Sequence, residues 1–381
     1  MFTRLYLHIP FCLRKCGYCA FNSQQLPDTG LNDYVALLLE EMRLVSSVTT
    51  PGQQLDSIYF GGGTPSLLGS GQVARLIENA TELFGRGPDC EITLEANPGT
   101  VDQALLADFR SAGVNRLSLG VQSFDDSFLD CLGRAHNAYQ TRKAFSDART
   151  AGFSNISIDL MHSLPAQNIT QWQTDLEQAI RLSPEHISVY GLTVEEGTPF
   201  YDRYRCSSSE KPDDDLSADM FEMADDLLSA AGFEHYEIAN HARPGCRSRH
   251  NSGYWLRDGY RGVGVGAHSL LRNNASGVRL CNLERMEEYA EALLHGELPL
   301  FEETRLTEDD AMSEFIFLGL RMADGIEFSA FEREFGQSFF EVYGAAIDEL
   351  VEAGLLTREH DALRLTRCGM LLSNQVFSRF V

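Results

Sequence analysis

Three cysteines stand close together near the start of the chain, at Cys12, Cys16 and Cys19. Their spacing places three thiolates on one short loop directly after an apolar run that predicts a strand. Three thiolates can bind three corners of a cubane [4Fe-4S] cluster and leave the fourth iron open to another ligand. A zinc site would need a fourth Cys or His at close spacing, and position 21 is Phe. The loop therefore predicts an iron–sulfur cluster with one open iron.

These cysteines need a scaffold, and the first 200 residues alternate short β-branched runs with longer amphipathic stretches. One stretch, Asn32–Val48, has apolar residues at helical spacing behind a possible cap at Asn32. Six β/α units predict a parallel sheet, and a closed barrel needs eight, so we expect an α/β fold with an open, partial (βα)6 barrel. The predicted strands are Arg4–Ile9, Leu55–Phe60, Glu91–Glu95, Arg116–Val121, Asn155–Leu160 and His186–Gly191.

Polar or glycine-rich residues follow the predicted strands, which is typical of folds whose chemistry lies at the carboxyl ends of parallel strands. Their joint placement argues against a set of unrelated solvated loops. A Gly-rich turn alone is weak evidence, although glycine does let backbone amides approach a ligand closely. After the cysteine loop, the segments are Gly61-Gly62-Gly63-Thr64-Pro65, Glu95-Ala96-Asn97-Pro98, Gln122-Ser123, Asp159 and Thr193.

The rest of the chain divides into two further segments. A polar stretch at Tyr204–Asp215 marks the expected exit from the barrel. We expect the barrel in residues 1–203, a linker and a second Gly-rich segment in 204–302, and a C-terminal winged-helix-like domain in 303–381. That last domain shows predicted helices followed by two short strand-like pieces, at Leu355–Arg358 and Ala362–Leu365.

The charge composition of the chain limits the classes of partner that it can bind. The chain has 31 basic and 55 acidic side chains, a formal charge of −24, which repels phosphate backbones and anionic lipid headgroups. We therefore expect no nucleic-acid partner, and membrane contact only through another protein. The N-terminus lacks signal-peptide order, and no run of 18 apolar residues occurs, so we expect a cytoplasmic protein. The nine cysteines are an odd number and are scattered apart from the group at Cys12, Cys16 and Cys19, which favours reduced thiols over a disulfide framework.

The cysteine loop and the glycine-rich segment together resemble the radical S-adenosylmethionine (SAM) superfamily. Within it, Tyr6-Leu-His8-Ile-Pro10-Phe-Cys12 and the later strings GVQSF, IDL and GAHS resemble the oxygen-independent coproporphyrinogen III oxidase family, over most of the chain. The resemblance implies that S-adenosyl-L-methionine binds the open iron through its amino and carboxylate groups. It also implies an electron donor protein, whose electron cleaves the sulfonium to a deoxyadenosyl radical.

The resemblance assigns cofactor contacts to residues along the strand ends. It implies contacts to the amino end of the methionine moiety for Gly62, Gly63 and Thr64, bonds to adenosine or methionine groups for Glu95 and Asp159, positions near the ribose and carboxylate for Gln122 and Arg134, and aromatic packing around cluster and cofactor for Tyr6 and Tyr18.

Two branches of this family differ in their task. The oxidase branch decarboxylates coproporphyrinogen III and carries a long segment before the cluster motif and a further cysteine two residues after its third cysteine. Here 11 residues precede Cys12 and Phe21 occupies the further position. The other branch, of heme chaperones, reads C-x-F-N-S there and carries an H-N-x-x-Y-W string, present as His250–Trp255. The resemblance thus implies a chaperone that binds heme and transfers it to acceptor proteins. A coproporphyrinogen III oxidase is the alternative, a heme-degrading radical enzyme is a third possibility, and catalysis stays open.

A neutral imidazole is a good axial ligand for heme iron, and neighbouring Tyr and Trp rings can cover a porphyrin face. His250 is the preferred ligand, against the alternative of a histidine held by hydrogen bonds in the core. The chain departs from the family pattern with Ala20 after the third cysteine and with a string that we expect to place His162 and Ser163 near the cofactor. Further histidines in family-like strings and possible thiolate ligands are His8, His136, His268, Cys206 and Cys246.

Overall fold

The computed structural model describes residues 1–26, 30–49, 52, 54–204, 213–272 and 274–381. Residues 205–212 of the polar stretch, and Cys206 with them, lie outside the described residues. The strands are β1 (Arg4–Ile9), β2 (Phe11–Cys12), β3 (Gln24–Gln25), β4 (Leu55–Gly62), β5 (Arg86–Ala96), β6 (Arg116–Gln122), β7 (Ile156–His162), β8 (His186–Gly191), β9 (Glu234–Glu237), β10 (Asn240–Ala242), β11 (Tyr260–Val263), β12 (His268–Leu271), β13 (Val278–Asn282), β14 (Leu300–Arg305), β15 (Ile326–Glu327), β16 (Leu356–Glu359) and β17 (Ala362–Leu365). The helices are α1 (Leu31–Val48), α2 (Ser70–Phe84), α3 (Gln103–Ser111), α4 (Asp126–Leu132), α5 (Ala138–Thr150), α6 (Ile169–Leu182), α7 (Pro199–Tyr204), α8 (Asp214–Ala230), α9 (Arg249–Trp255), α10 (Met286–Leu294), α11 (Glu308–Gly319), α12 (Phe328–Phe335), α13 (Phe339–Glu352), α14 (Arg367–Leu371) and α15 (Ser373–Phe377).

Twelve of the described strands form one sheet in the order β14-β13-β12-β11-β1-β4-β5-β6-β7-β8-β10-β9. Its centre, β1-β4-β5-β6-β7-β8, consists of the six predicted strands in chain order, each parallel to the next. The sheet ends at β14 and β9 rather than closing within the described residues. The open, partial (βα)6 barrel predicted from the sequence is therefore confirmed.

The apolar runs located these strands, and backbone pairing set their ends. β1 and β8 have the predicted bounds. β5 starts earlier, at Arg86, because Leu55 on β4 pairs with Arg86 through the backbone, and this pairing does not require an apolar side chain. The helix predicted at Asn32–Val48 starts at Leu31 behind Gly30, so Asn32 is not the cap. Its side chain instead accepts a hydrogen bond from Gln72 on α2.

Residues from the 204–302 segment extend both ends of the parallel sheet. β10 pairs antiparallel with β8, while β11 pairs parallel with β1 and leads into β12, β13 and β14. Gly262 needs to be glycine, because a Cβ there would lie 2.2 Å from the carbonyl oxygen of His268. This segment therefore completes the sheet that residues 1–203 begin, and it brings the H-N-x-x-Y-W string beside β1 and β4.

The C-terminal residues build a second apolar core with a small sheet in the order β15-β17-β16 and packed helices α11, α12 and α13. The predicted winged-helix-like extension is confirmed. Buried Arg257 joins this domain to the large sheet, with Glu314 at 3.0 Å and Glu334 at 3.3 Å. In the part of the chain that the structure describes, no helix has the length and apolar character needed to cross a membrane.

Candidate functional site

The cysteine loop follows β1 at the carboxyl edge of the parallel sheet. Cys12, Cys16 and Cys19 are all free thiols and partly exposed. Two backbone contacts hold the loop in place, from Gly17 N–H to Leu132 O (3.2 Å) and between Cys19 N–H and Cys16 O (3.3 Å). Burial, together with the nearby sulfurs of Cys16 and Cys12, raises the pKa of Cys19. Three free sulfurs on one loop form a donor set that fits an iron–sulfur cluster.

Arg134 and Tyr18 lie against this loop. Arg134 Nη1 is 3.5 Å from Cys16 Sγ, and its Nη2 donates to Gly120 O at 2.7 Å. Arg134 Nε is buried without a hydrogen-bond partner. Tyr18 also hydrogen-bonds to Cys16, and burial raises its pKa well above the usual value. The guanidinium thus brings positive charge beside the thiols and keeps one donor unused.

The glycine-rich segment behaves differently from the expectation that its amides face a ligand. Gly63 N–H donates to Ile9 O and Thr64 N–H to Phe11 O, each at 2.8 Å, and Gly62 N–H donates to Glu95 Oε2 at 3.3 Å. A Cβ on Gly63 would lie 2.6 Å from Phe11 O, and one on Gly62 would lie 2.6 Å from the His8 ring. These glycines let the backbone pack on the strand that carries Cys12.

Two carboxylates, Glu95 on β5 and Asp159 on β7, lie close enough for the charge of Asp159 to affect Glu95. Glu95 accepts from Tyr59 Oη at 2.8 Å, and Asp159 lies 3.4 Å from Ser118 Oγ. Burial and the charge of Asp159 raise the pKa of Glu95 to about 7, and burial also raises the pKa of Asp159. Two carboxylates that disfavour each other's charge suit a cationic ligand. Together with the unused Arg134 donor, they fit S-adenosylmethionine, which carries both a cation and a carboxylate.

A cleft of about 940 Å³ opens beside the cysteine loop. Of the residues predicted to contact the cluster or S-adenosylmethionine, Tyr6, Gly62 and Glu95 line it. Gln122, with φ of 69°, lies at the end of β6 next to the Gly120 that Arg134 binds. The other walls come from the cysteine loop and from the completing segment, through Lys15, Phe21, Tyr254, Trp255, Tyr260, His268, Arg279 and Arg285.

His250 lies behind this wall rather than in the cleft. Its Nδ1 is 2.8 Å from Ser57 Oγ and its Nε2 is 2.8 Å from Tyr254 Oη, while its ring is 1% exposed. Burial lowers its pKa to about 3. Both ring nitrogens are therefore engaged, and the structure gives His250 the hydrogen-bonded core role instead of the free ligand position that the sequence predicted.

The other histidines separate into buried and exposed groups. His8 binds Tyr6 Oη and Asn22 O, and His136 binds Asn97 and Val121 O, so these rings are also engaged. His162 is buried beside Ser163, whose hydroxyl donates to Ser217 on α8. The His162 ring packs against Trp172 on α6, with ring centroids 5.5 Å apart, and neither His162 nor Ser163 lines the cleft described above. Their expected place near the cofactor stays a prediction.

His268 is exposed on the cleft wall, and its Nε2 lies 3.6 Å from Cys281 Sγ. The sequence had offered His268 only as one of several alternatives, and Cys281 was missed. Buried Arg116, whose positive charge partly offsets the rise in the pKa of Glu95 and Asp159, was also missed. The sequence does carry one usable signal on β4. Ser57 and Tyr59 alternate with Ile58 and Phe60, which indicates that the two polar side chains point to the same face of the sheet.

Residues 6–179 match the radical SAM superfamily, and residues 306–372 match the HemN C-terminal domain. The structure is similar to coproporphyrinogen III oxidase (HemN) from Escherichia coli, with a TM-score of 0.86 over 100% of this chain and 90% of that chain, at 23% identity. The fold and the cysteine loop are those of a radical SAM protein, a class that implies an iron–sulfur cluster and S-adenosylmethionine.

Relatives that match over the full length of the chain identify a family within this class. The chain is 34% identical to the heme chaperone HemW of Bacillus subtilis over 378 residues, which is 99% of this chain and 98% of that protein. It is 36% identical to the heme chaperone HemW of Escherichia coli, over 99% of this chain and 97% of that protein. The chain belongs to the HemW family.

Proposed function

We propose that this protein is a heme chaperone, which binds heme in the cleft beside the cysteine loop and transfers it to acceptor proteins. The cleft itself carries the proposal. Its volume of about 940 Å³ suits a large planar ligand, and Tyr254, Trp255 and Tyr260 place three aromatic side chains on its wall. Aromatic rings offer apolar area to a porphyrin face.

The axial ligand in this proposal is His268, with Cys281 beside it as a second candidate. His268 is exposed on the cleft wall, whereas His250, His8 and His136 all have both ring nitrogens hydrogen-bonded. An imidazole without a strong partner can bind iron without breaking a buried hydrogen bond.

Cationic side chains at the rim would receive the heme propionates. Lys15 and Arg285 are exposed at this rim. Lys15 donates to the carbonyl oxygens of Phe21 and Ser23, and Arg285 pairs with Glu288 at 3.0 Å. Exposed contacts of this kind are weak, so both cations can exchange them for a propionate. In a chain with a net charge of −24, such local groups are what an anionic ligand requires.

Cys12, Cys16 and Cys19 would hold the [4Fe-4S] cluster, and Tyr6, Tyr18, Gly62, Gly63, Thr64, Glu95, Gln122, Arg134 and Asp159 would surround the S-adenosylmethionine pocket. When bound, the two groups supply one-electron chemistry. The chain's own residues set the charge around them, since Arg134 places a cation against Cys16 and Glu95 and Asp159 offer carboxylates. Glycines 62–64 act on the pocket indirectly, by fixing the loop.

The oxidase function remains the second candidate, because the shared fold and cysteine loop support either task. Phe21, which stands where the oxidase branch has a further cysteine, is 68% exposed at the cleft rim. An apolar exposed ring at this point favours contact with a porphyrin or a partner over thiol chemistry.

The test is anaerobic reconstitution of the full chain, followed by separate assays for bound heme, deoxyadenosine and protoporphyrinogen. We expect about one heme per chain, transfer of that heme to an apo-hemoprotein, and no protoporphyrinogen from coproporphyrinogen III. Accumulation of protoporphyrinogen IX with turnover would establish the oxidase instead. The partners in this proposal are heme, acceptor proteins in the cytoplasm and an electron donor protein, with membrane contact only through an acceptor and no nucleic acid.

A further inference from the structure

A second group of metal-ligating side chains lies at the opposite end of the sheet from the β1 side. Asp225 on α8, His235 on β9 and His241 on β10 bring one oxygen and two ring nitrogens within 4.8 Å of one another. β9 and β10 pair antiparallel with His235 directly opposite His241, so the two rings stack at 4.1 Å with an angle of 12°. This cluster lies at the edge strand β9, whereas the cysteine loop follows β1.

The hydrogen bond that His235 Nε2 makes determines the protonation of the other ring nitrogen, Nδ1, which faces Asp225. His235 Nε2 donates to Ile238 O at 3.2 Å, because a carbonyl oxygen can only accept. In the neutral ring Nδ1 then carries no proton and has a free lone pair, and it lies 3.0 Å from Asp225 Oδ1. Two acceptors at that distance repel unless a proton or a metal ion lies between them.

His241 decides between those two possibilities. Its ring is 2% exposed, and neither ring nitrogen has a hydrogen-bond partner, although Nε2 lies 3.7 Å from Asp225 Oδ1. A proton on His235 would pair only His235 with Asp225 and would leave His241 unsatisfied. A buried polar atom without a partner destabilises the folded state, because it loses its hydrogen bonds to water and gains none in return. One ion bound by all three side chains would satisfy both rings.

We propose that Asp225, His235 and His241 form a binding site for one divalent transition-metal ion, with Zn²⁺ the best match. Two imidazoles and one carboxylate are a common zinc ligand set. Zinc bonds of about 2.0–2.1 Å in a tetrahedral arrangement separate neighbouring ligand atoms by about 3.3 Å, between the 3.0 and 3.7 Å found here. The carbonyl of Ile238 fixes the His235 tautomer, as outer contacts do at metal sites.

The contacts of Asp225 with the C-terminal domain indicate a structural role for this site. Arg367, at the start of α14 in the C-terminal domain, lies 3.8 Å from Asp225 Oδ2 and 2.9 Å from Asp226 Oδ1. One oxygen of Asp225 thus faces the imidazoles while the other faces the C-terminal domain. The ion therefore holds Asp225 in the position in which that domain docks on the edge of the sheet.

The test uses the full chain with Cys12, Cys16 and Cys19 all replaced by Ala, so that the cysteine loop cannot bind the probe metal. Titration with Zn²⁺ against a chromophoric chelator should show one site per chain, and Co²⁺ should give visible d–d bands without thiolate charge-transfer bands. Zn²⁺ should also raise the thermal midpoint of unfolding. In the reconstituted wild-type protein, metal analysis should find one zinc in addition to the iron.

His241→Ala and Asp225→Asn should each weaken zinc affinity at least about 10-fold and abolish the thermal shift. Asp225→Asn keeps the side-chain volume, and circular dichroism checks that it folds. His295→Ala, at an exposed position at the C-terminal end of α10, is the matched control and should bind like its parent. Absence of a zinc site in the triple-Ala protein would overturn the proposal, as would Zn²⁺ affinity unchanged in both ligand variants.

Discussion

His250 Nε2 and Tyr254 Oη, one turn apart on helix α9, lie 2.8 Å from each other. The opposite ring nitrogen reaches Ser57 on β4, so this imidazole joins α9 to the sheet beneath it. Tyr254 in turn lines the cleft. The H-N-x-x-Y-W string therefore uses its histidine to position its tyrosine.

Replacing His250 by Ala should destabilise the fold. It leaves the hydroxyls of Ser57 and Tyr254 without their partner, which we expect to lower the free energy of unfolding by about 2–4 kcal/mol. Urea denaturation followed by tryptophan fluorescence measures the change, with exposed His295→Ala as the control. A stability equal to wild type would show that the buried contacts contribute nothing.

Heme binding should depend on His268 more than on His250. His268→Ala removes the exposed imidazole on the cleft wall, so we expect the Soret band of bound heme to shift and the affinity to fall at least about 10-fold. His250→Ala should keep the wild-type heme spectrum per folded chain. The reverse result, with a changed spectrum only in the His250 variant, would return the ligand role to His250, and Cys281→Ala tests the neighbouring thiol.

The cluster should require each of the three loop cysteines. Cys12→Ala, Cys16→Ala and Cys19→Ala should each lose the broad iron–sulfur absorption and the paramagnetic signal of the reduced protein, since thiolates are the expected ligands. Exposed Cys368→Ala is the control and should keep both signals. A complete cubane in all three loop variants would refute this ligand assignment.

Gly63→Ala should impair the cluster loop through packing. The new Cβ would lie 2.6 Å from Phe11 O, a backbone atom adjacent to Cys12. We expect reduced cluster content and a lower thermal midpoint even without S-adenosylmethionine. Gly71→Ala is the matched control, because its Cβ meets nothing within 4 Å. Full cluster content combined with lost cofactor binding in Gly63→Ala would show that this glycine faces the ligand after all.

Binding of S-adenosylmethionine should strengthen as the pH rises through 7. The pKa of Glu95 is about 7, raised by burial and by Asp159, so this carboxyl is about 10% ionised at pH 6 and about 90% at pH 8. If the carboxylate binds the cationic ligand, affinity should rise by up to about 10-fold between these pH values. Calorimetry on the reconstituted protein measures it, and Glu95→Gln should remove the dependence. A slope that persists in Glu95→Gln would move the titration to Asp159.

The raised pKa also affects stability, with the opposite sign. An unfolded Glu titrates near 4.3, so between about pH 4.3 and 7 the folded state binds more protons than the unfolded state. Stability contributed by this group is therefore lost as the pH rises toward 7 in the ligand-free protein. S-adenosylmethionine should offset this loss, because it supplies a cation to the carboxylate.

The sequence by itself determined the parallel sheet and the cysteine loop. Apolar runs at fixed spacing placed all six central strands, since burial on both faces of a parallel sheet demands near-continuous apolar residues. The spacing of Cys12, Cys16 and Cys19 likewise predicts a cluster-binding loop without any knowledge of the fold. Residues at strand ends, such as Glu95 and Asp159, followed from the rule that the carboxyl ends of parallel strands meet at one edge.

Only the tertiary structure decided the roles that depend on contacts between distant residues. Whether His250 is a free imidazole depends on Ser57, 193 positions away, and the freedom of Gly63 depends on the backbone at Phe11. The pairing of His268 with Cys281 and of His235 with His241 follows from strand register, which backbone hydrogen bonds and packing set. A local pattern names the groups that can do chemistry, and the fold determines which of them keep an unused lone pair.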